Sequence, residues 1–297
     1  PEDTEAAVIE MGISDFGEMT RLSEMVQPTI CVLTIIGECH LENLGDRDGV
    51  LKAKTEMFKN ACENADFILN GDDDKLSTVK TVNGKKPVFF GLDAKNDFYA
   101  KNIKNSGDGK VLATLCFDNN NIDVEIPAIG TYMVTNALAA AAAGKLLGLT
   151  DEEIANGVAS YKTVGSRANV INTGKIKIID DCYNANPTSV RASLDTLSNL
   201  DGRKVAILGD MKELGSEELK LHFDTGVYAK SKDIGTVITV GELAKELAKG
   251  ADGKAFDTIE DAKSEILKTI KSGDVVLVKA SHSMQFENIV EFLKQNF

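Results

Sequence analysis

The chain has 297 residues, 43% hydrophobic and 27% charged, with 5 prolines and no tryptophan. Two ordinary domains, each with its own core, fit in that length, and the composition is that of a globular protein. A net charge of −13 excludes a general nucleic-acid binder, which needs a basic face for phosphates. No apolar run approaches the roughly 20 residues that cross a bilayer; the longest small-apolar stretch, Ala137 to Ala143, sits inside a helical pattern. The five cysteines, Cys31, Cys39, Cys62, Cys116 and Cys182, are scattered without a C-x-x-C pair. Scattered cysteines read as reduced thiols in a cytoplasmic protein rather than a disulfide framework or a zinc site. Pro1 is not a natural start, so the native N-terminus is expected upstream.

The first segment alternates strand and helix. Ala6 to Met11 is a short apolar run ending at Gly12, and Thr29 to Ile36 is a β-branched run suited to a strand buried on both faces. Gly49 to Ala61 has helical spacing, and Phe67 to Leu69 reads as a third strand. From Lys75 to Ile126 short strands (Val88 to Phe90, Val111 to Phe117, Ile122 to Ile126) are split by polar turns, with Asn83-Gly84 a hairpin signal. Thr131 to Leu147 is an Ala-rich helix; Asp151 to Ser160 is another, started by Thr150 with Glu153 three residues on. The helical pattern stops near Thr163 to Arg167, the hinge candidates. Beyond it Lys175 to Asp181, Lys204 to Leu208, Thr236 to Val240 and Asp274 to Lys279 read as strands. Helices are expected over Pro187 to Leu200 and Glu217 to Lys230, then from Leu243, Ile259 and Gln285. That order predicts an α/β chain in two domains, 1–163 and 164–297, the second with a Rossmann-like parallel sheet.

Several residues invite a chemical reading. Open α/β sheets bind ligands at the carboxyl ends of their strands, where Glu10, His40, Asp180-Asp181 and Gly209-Asp210 are expected. A carboxylate and an imidazole at neighbouring strand tips could share a divalent metal, although each alone reads as an ordinary salt-bridged Glu and a hydrogen-bonded His. Lys54 lies on a helix less polar than solvent exposure demands, where a snorkelling surface lysine is the ordinary reading. Asn186 before Pro187 is a good helix cap by itself, and Asp72-Asp73-Asp74 reads as a solvated turn. The chain has no Gly-x-x-x-x-Gly-Lys-Ser/Thr loop, so it is not a complete P-loop ATPase.

Five runs in order carry a resemblance along nearly the whole chain: Glu10-Met11-Gly12, Ile36 to Glu42 (IGECHLE), Ala53 to Phe58 (AKTEMF), Asp180 to Pro187 (DDCYNANP) and Leu208 to Gly215 (LGDMKELG). Together they resemble the Mur ligases, the last two runs pointing to the branch that adds D-alanyl-D-alanine. The resemblance implies an enzyme with a UDP-sugar domain, a central ATPase and a Rossmann-like C-terminal domain, this chain beginning after the phosphate loop of the second. Glu10, His40 and a carbamylated Lys54 look like catalytic magnesium ligands. Asn136, Arg167, Asp181, Tyr183, Asn184 and Asn186 match positions lining the ATP cleft, and Lys279, Ser281 and Ser283 fall where substrate approaches. Ile35, Tyr132-Met133 and Ala280-Ser281-His282 depart from the family's usual Asn, His-Asn and Gly-Ser-Arg. The implied partners are ATP, Mg2+, UDP-N-acetylmuramoyl-tripeptide and D-alanyl-D-alanine, in a cytoplasmic monomer; carboxylate activation as an acyl phosphate precedes attack by the amine. Two rivals stand beside this reading: another ligase of the superfamily, folylpolyglutamate-synthase-like or diamino-acid-adding, and an inactive fragment with at most weak nucleotide binding.

Overall fold

Short β-branched and aromatic runs build the first sheet. The structure is a computed structural model; it describes residues 3–106 and 109–297, and Pro1 lies outside them. In chain order come α1 (Glu18–Val26), β1 (Ile30–Leu33), α2 (Leu41–Leu44), α3 (Arg47–Thr55), β2 (Asp66–Asn70) and β3 (Val88–Phe90). The three strands form a parallel sheet in the order β1-β2-β3. Its core holds Met19, Leu33, Ile36, Val50, Phe67 and Leu69. The N-terminus of α1 has no local side-chain cap. Instead the buried Glu56 accepts hydrogen bonds from the Gly17 and Thr20 amides and the Thr20 hydroxyl, so a distant carboxylate satisfies the orphan donors.

Two expectations fail here. Ala6 to Met11 is not a strand: the segment is irregular, with Val8 98% and Ile9 55% exposed. Six residues cannot hold an extended conformation without a neighbour to complete the ladder, and β1 pairs only with β2 among the described residues. Its position at the sheet edge also explains why β1 alternates, Cys31 and Leu33 buried and Val32 exposed, rather than being buried on both faces.

An antiparallel sheet follows, β4 (Tyr99–Asn105), β5 (Val111–Phe117) and β6 (Asn120–Ile126). The sequence pattern misses β4 because only Tyr99, Ala100 and Ile103 give it an apolar side. Asn83 and Gly84 both take positive φ, 49° and 81°, and Val82 and Lys85 exchange two backbone bonds of 2.9 Å, the expected tight turn. Next are α4 (Tyr132–Leu146), whose alanines let it lie close on the sheets, and α5 (Asp151–Ala159), started by the Thr150–Glu153 capping box.

The second half comprises β7 (Asn169–Asn172), β8 (Lys177–Asp180), α6 (Pro187–Ser198), β9 (Arg203–Gly209), α7 (Glu218–Ser231), β10 (Thr236–Val240), α8 (Ala244–Ala251), β11 (Lys254–Phe256), α9 (Ile259–Thr269), β12 (Asp274–Lys279) and α10 (Glu287–Asn296). Six strands order as β11-β10-β9-β12-β8-β7, parallel except where β7 joins. All six residues of β12 are buried, as a central strand covered by helices on both faces requires. The short edge strands β7 and β11 escape the sequence pattern. Because Val278 pairs with Asp180 and Lys279 with Leu208, the carboxyl ends of β8, β12 and β9 open onto one rim.

Candidate functional site

At that rim the loop after β8 is tied down by buried charge. The Lys279 ammonium donates to Asp181 Oδ2 at 2.7 Å and to the Asn184 carbonyl at 2.8 Å, with only 3% of the lysine exposed. Asp181 also accepts from Ser193 Oγ at 2.6 Å and from the Ala168 amide at 3.1 Å. Burying a lysine is costly unless its charge is paired and its donors filled, and here both conditions hold. Ser281 is equally interior: its hydroxyl accepts from the Lys212 amide at 2.9 Å and its amide donates to the Asp210 carbonyl. Lys279 and Ser281, expected to meet substrate, therefore face the protein interior and brace the loop; being at the end of a fully buried strand dictates it. Ser283 alone of the three is exposed, lining a shallow cleft with His282, Gln285 and Glu287.

Arg167, Tyr183 and Asn184 are exposed beside this brace. The Arg167 guanidinium lies 3.9 Å from the Tyr183 ring centroid, and the Tyr183 amide donates to the Ser166 carbonyl at 3.0 Å. The segment entering the second domain is thus anchored to the loop after β8 from Ser166 onward. Asn186 caps α6, accepting from the Ser189 amide at 2.8 Å, so its side chain serves the helix. Asn136, exposed on α4, contacts Met133 Sδ. Nearby, burial and then the Asp181 carboxylate push the Tyr132 hydroxyl pKa up, placing the start of α4 by the same acid.

The loop after β1 meets the second domain. The Glu38 amide donates to Thr188 Oγ1 at 3.3 Å at the start of α6, and its carboxylate lies 3.7 Å from Arg191. His40 Nδ1 is 2.5 Å from Glu213 Oε2, and the Glu42 amide donates to the Glu213 carbonyl at 3.3 Å. Glu38, Thr188, Arg191 and Glu213 were not singled out by residue type, although Glu38, Glu42 and Glu213 lie inside the quoted runs. Lys54 is half-buried and donates to the Ile35 carbonyl at 3.1 Å. The Cys39 thiol, raised in pKa mainly by burial, senses both the Lys54 cation and the Glu213 carboxylate, so Lys54 and His40 share a neighbourhood. Glu10 does not join them by any contact; it is exposed on the irregular segment before α1.

The expected metal site is therefore unassembled. Among the described residues no three His, Cys, Asp or Glu side chains group closely enough to hold a metal ion. Lys54 presents a cation to a carbonyl, His40 is engaged by Glu213, and Glu10 has lost the strand meant to deliver it. As arranged, these residues do not fit the oxygen-rich shell magnesium requires.

With the Ile36 to Glu42 and Leu208 to Gly215 runs meeting across one domain junction, similarity to known proteins becomes informative. Residues 1–144 match the Mur ligase middle domain, and residues 166–282 match the Mur ligase glutamate ligase domain. The chain belongs to the Mur ligase family. It is 35% identical to the UDP-N-acetylmuramoyl-tripeptide–D-alanyl-D-alanine ligase of Bacillus subtilis, over 99% of this chain and 65% of the relative. For the Escherichia coli ligase of the same name the identity is 33%, over 98% of this chain and 65% of that one. Two solved Mur ligases share the fold. MurF from Acinetobacter baumannii aligns with a TM-score of 0.91 at 29% identity, over 97% of this chain and 64% of that one. MurF from Thermotoga maritima in complex with ADP aligns with a TM-score of 0.87 at 27% identity, over 97% and 66%. The chain thus spans just under two thirds of the length of these relatives.

Proposed function

We propose that this chain forms the central and C-terminal part of an ATP-dependent carboxylate–amine ligase that joins D-alanyl-D-alanine to UDP-N-acetylmuramoyl-tripeptide. The supporting observation is the meeting of the loops after β1 and β9 and the start of α6 across the domain junction, at strand ends where α/β folds bind ligands. The relatives' names supply the substrates, and the ADP-bound relative supports nucleotide use.

In this reading the γ-phosphoryl group of ATP passes to the terminal carboxylate of the tripeptide and ADP leaves. The amine nitrogen of D-alanyl-D-alanine then attacks the acyl carbon; the C–N bond forms, the C–O bond to phosphate breaks, and the amine gives up its proton. Asp181, held by Lys279, Ser193 and Ala168, is the proposed ribose partner, with one face of Tyr183 against Arg167. Asn136, Asn184 and Asn186 line the same cleft. Ser283 stays a substrate candidate, whereas Lys279 and Ser281 act through the loop they brace. Docking of the two domains would exclude water from the acyl phosphate. Mg2+ would accompany the triphosphate, with Glu10, His40 and carbamylated Lys54 its proposed ligands only after rearrangement; no step above is routed through it. A monomer in the cytoplasm, where a nucleotide-linked precursor meets ATP, completes the proposal.

The decisive measurement is ADP release by the complete polypeptide against a panel of amines. Turnover is expected with D-alanyl-D-alanine; turnover only with a single diamino acid or with glutamate would move the chain to another ligase branch. Among the described residues no helix is long and apolar enough to cross a membrane.

A further inference from the structure

The His40–Glu213 contact breaks local rules that stability cannot explain. Both residues have positive φ, 53° and 63°, in the left-handed region. Each such non-glycine conformation is energetically unfavourable. The ion-pair geometry offers little return: His40 and Glu213 side chains are 27% and 56% exposed, and solvent screens exposed pairs until they contribute little. Strain not offset locally points toward function. The backbone around the pair is equally constrained. The Glu42 amide donates to the Glu213 carbonyl, and a Cβ on Gly215 would meet Glu42 Cα at 3.2 Å. One loop of the second domain is thus pressed on the turn that carries His40.

The consequence for the imidazole is specific. A carboxylate on Nδ1 holds the proton of the neutral ring there and leaves Nε2 a lone-pair acceptor. Nε2 of His40 has no hydrogen-bond partner among the described residues, so it is the nitrogen left for a ligand.

We infer that Glu213 is a positioning residue acting across the domain junction: it fixes the Nδ1-protonated form of His40, making that side chain competent only while the two domains are docked. Docking and the chemistry of the first domain are thereby coupled through one proton position. The bearing on turnover rests on the ligase reading above; the geometry does not.

The chain has three histidines, and one of them is a built-in control. His222 Nε2 accepts from the Met211 amide at 2.9 Å and its Nδ1 lies 2.7 Å from the Glu218 carbonyl, so it too is protonated at Nδ1, within one domain. His282 is exposed and supplies the unconstrained pattern. Two-bond proton–nitrogen correlation spectra of the labelled chain at about pH 8, above the ordinary histidine range, read all three; His40→Gln assigns the His40 signals. The expected result is an Nδ1-protonated pattern for His40. In Glu213→Ala it moves to that of His282 while His222 is unchanged, and in Glu213→Gln, whose amide oxygen can still accept, it shifts only partly. Thr188→Ala with Arg191→Ala loosens docking without touching His40 and should produce the same shift. An Nε2-protonated or imidazolium pattern in the parent chain overturns the inference, as does an identical His40 pattern in parent and Glu213→Ala. In the complete enzyme Glu213→Ala should lower kcat about tenfold or more with KM for the amine little changed. Absence of ligation with the spectral shift intact would remove the ligase reading and keep the positioning role.

Discussion

The two halves of the junction are built to different standards. On the second-domain side a lysine 3% exposed is matched by a carboxylate and a carbonyl, and Asp210, 2% exposed, is met by Lys212 and the Ala244 amide. On the first-domain side Lys54 has one carbonyl partner, and Glu10 stands exposed. Buried charges persist only when their partners are already in place, so the first set is preassembled by the fold itself. Exposed charges carry no such requirement, and the loops bearing them can await a ligand. The rim formed by the ends of β8, β9 and β12 is scaffold; the proposed metal side is conditional.

The largest test of that contrast is Lys279→Met. Removing the ammonium strands Asp181 and the Asn184 carbonyl beneath the loop, and breaking a buried pair from one side costs about 3 kcal/mol or more. A urea titration should show the loss for the second-domain transition, with Lys279→Met plus Asp181→Asn recovering part of it. Lys54→Met, which removes one partly exposed bond, should cost less than about 1 kcal/mol. Equal losses at the two lysines would erase the distinction.

His222 tests the same scaffold through pH. Its Nε2 must stay unprotonated to accept from Met211, and burial lowers its pKa. A pKa depressed in the folded state means the unfolded chain binds the proton more readily. The stabilisation is thus complete above the unfolded value of about 6.5 and lost as pH falls toward the depressed folded one. Urea midpoints between about pH 7.5 and 5 should drop more steeply for the parent chain than for His222→Gln. At neutral pH His222→Leu should itself cost about 1–3 kcal/mol, since the Met211 amide then loses its acceptor.

How far the sequence could be read follows from the same physics. Elements whose signals are local were legible: the Thr150–Glu153 box, Asn186 before Pro187, the Asn83-Gly84 turn, and central strands such as β12 whose burial makes them continuously apolar. Edge strands β4, β7 and β11 were not, because an edge is polar enough to resemble a loop. Asp181 and Tyr183 lie in a quoted run and Arg167 was matched through the resemblance; the Arg167 guanidinium lies over the Tyr183 ring and Asp181 accepts from the neighbouring Ala168 amide. The partners that give them their geometry, Ser193 and the inward-facing Lys279, depend on contacts across 12 and 98 positions, which no local pattern encodes. The convergence of Glu10, His40 and Lys54 fails for a related reason: one of the three rode on a strand whose pairing the sequence cannot guarantee. Membership of the Mur ligases rests instead on the paired domain matches and on similarity along nearly the whole chain.

That failed strand supplies the smallest expected effect. Val8 and Ile9 are 98% and 55% exposed, so replacing Val8 with Asp removes almost no buried apolar area and should change stability by less than about 0.5 kcal/mol. The same chemistry at Val276, fully buried in β12, would place an unpaired carboxylate in the core and abolish folding of the second domain. A measurable loss from Val8→Asp in urea would mean that Ala6 to Met11 is paired in solution. The natural place for it is beside β1, an edge strand of the first sheet, near the exposed Val32 and, just past the strand, Ile35. Such pairing would carry Glu10 toward the tip of β1 and the loop of His40, turning the conditional side of the junction into a preassembled one.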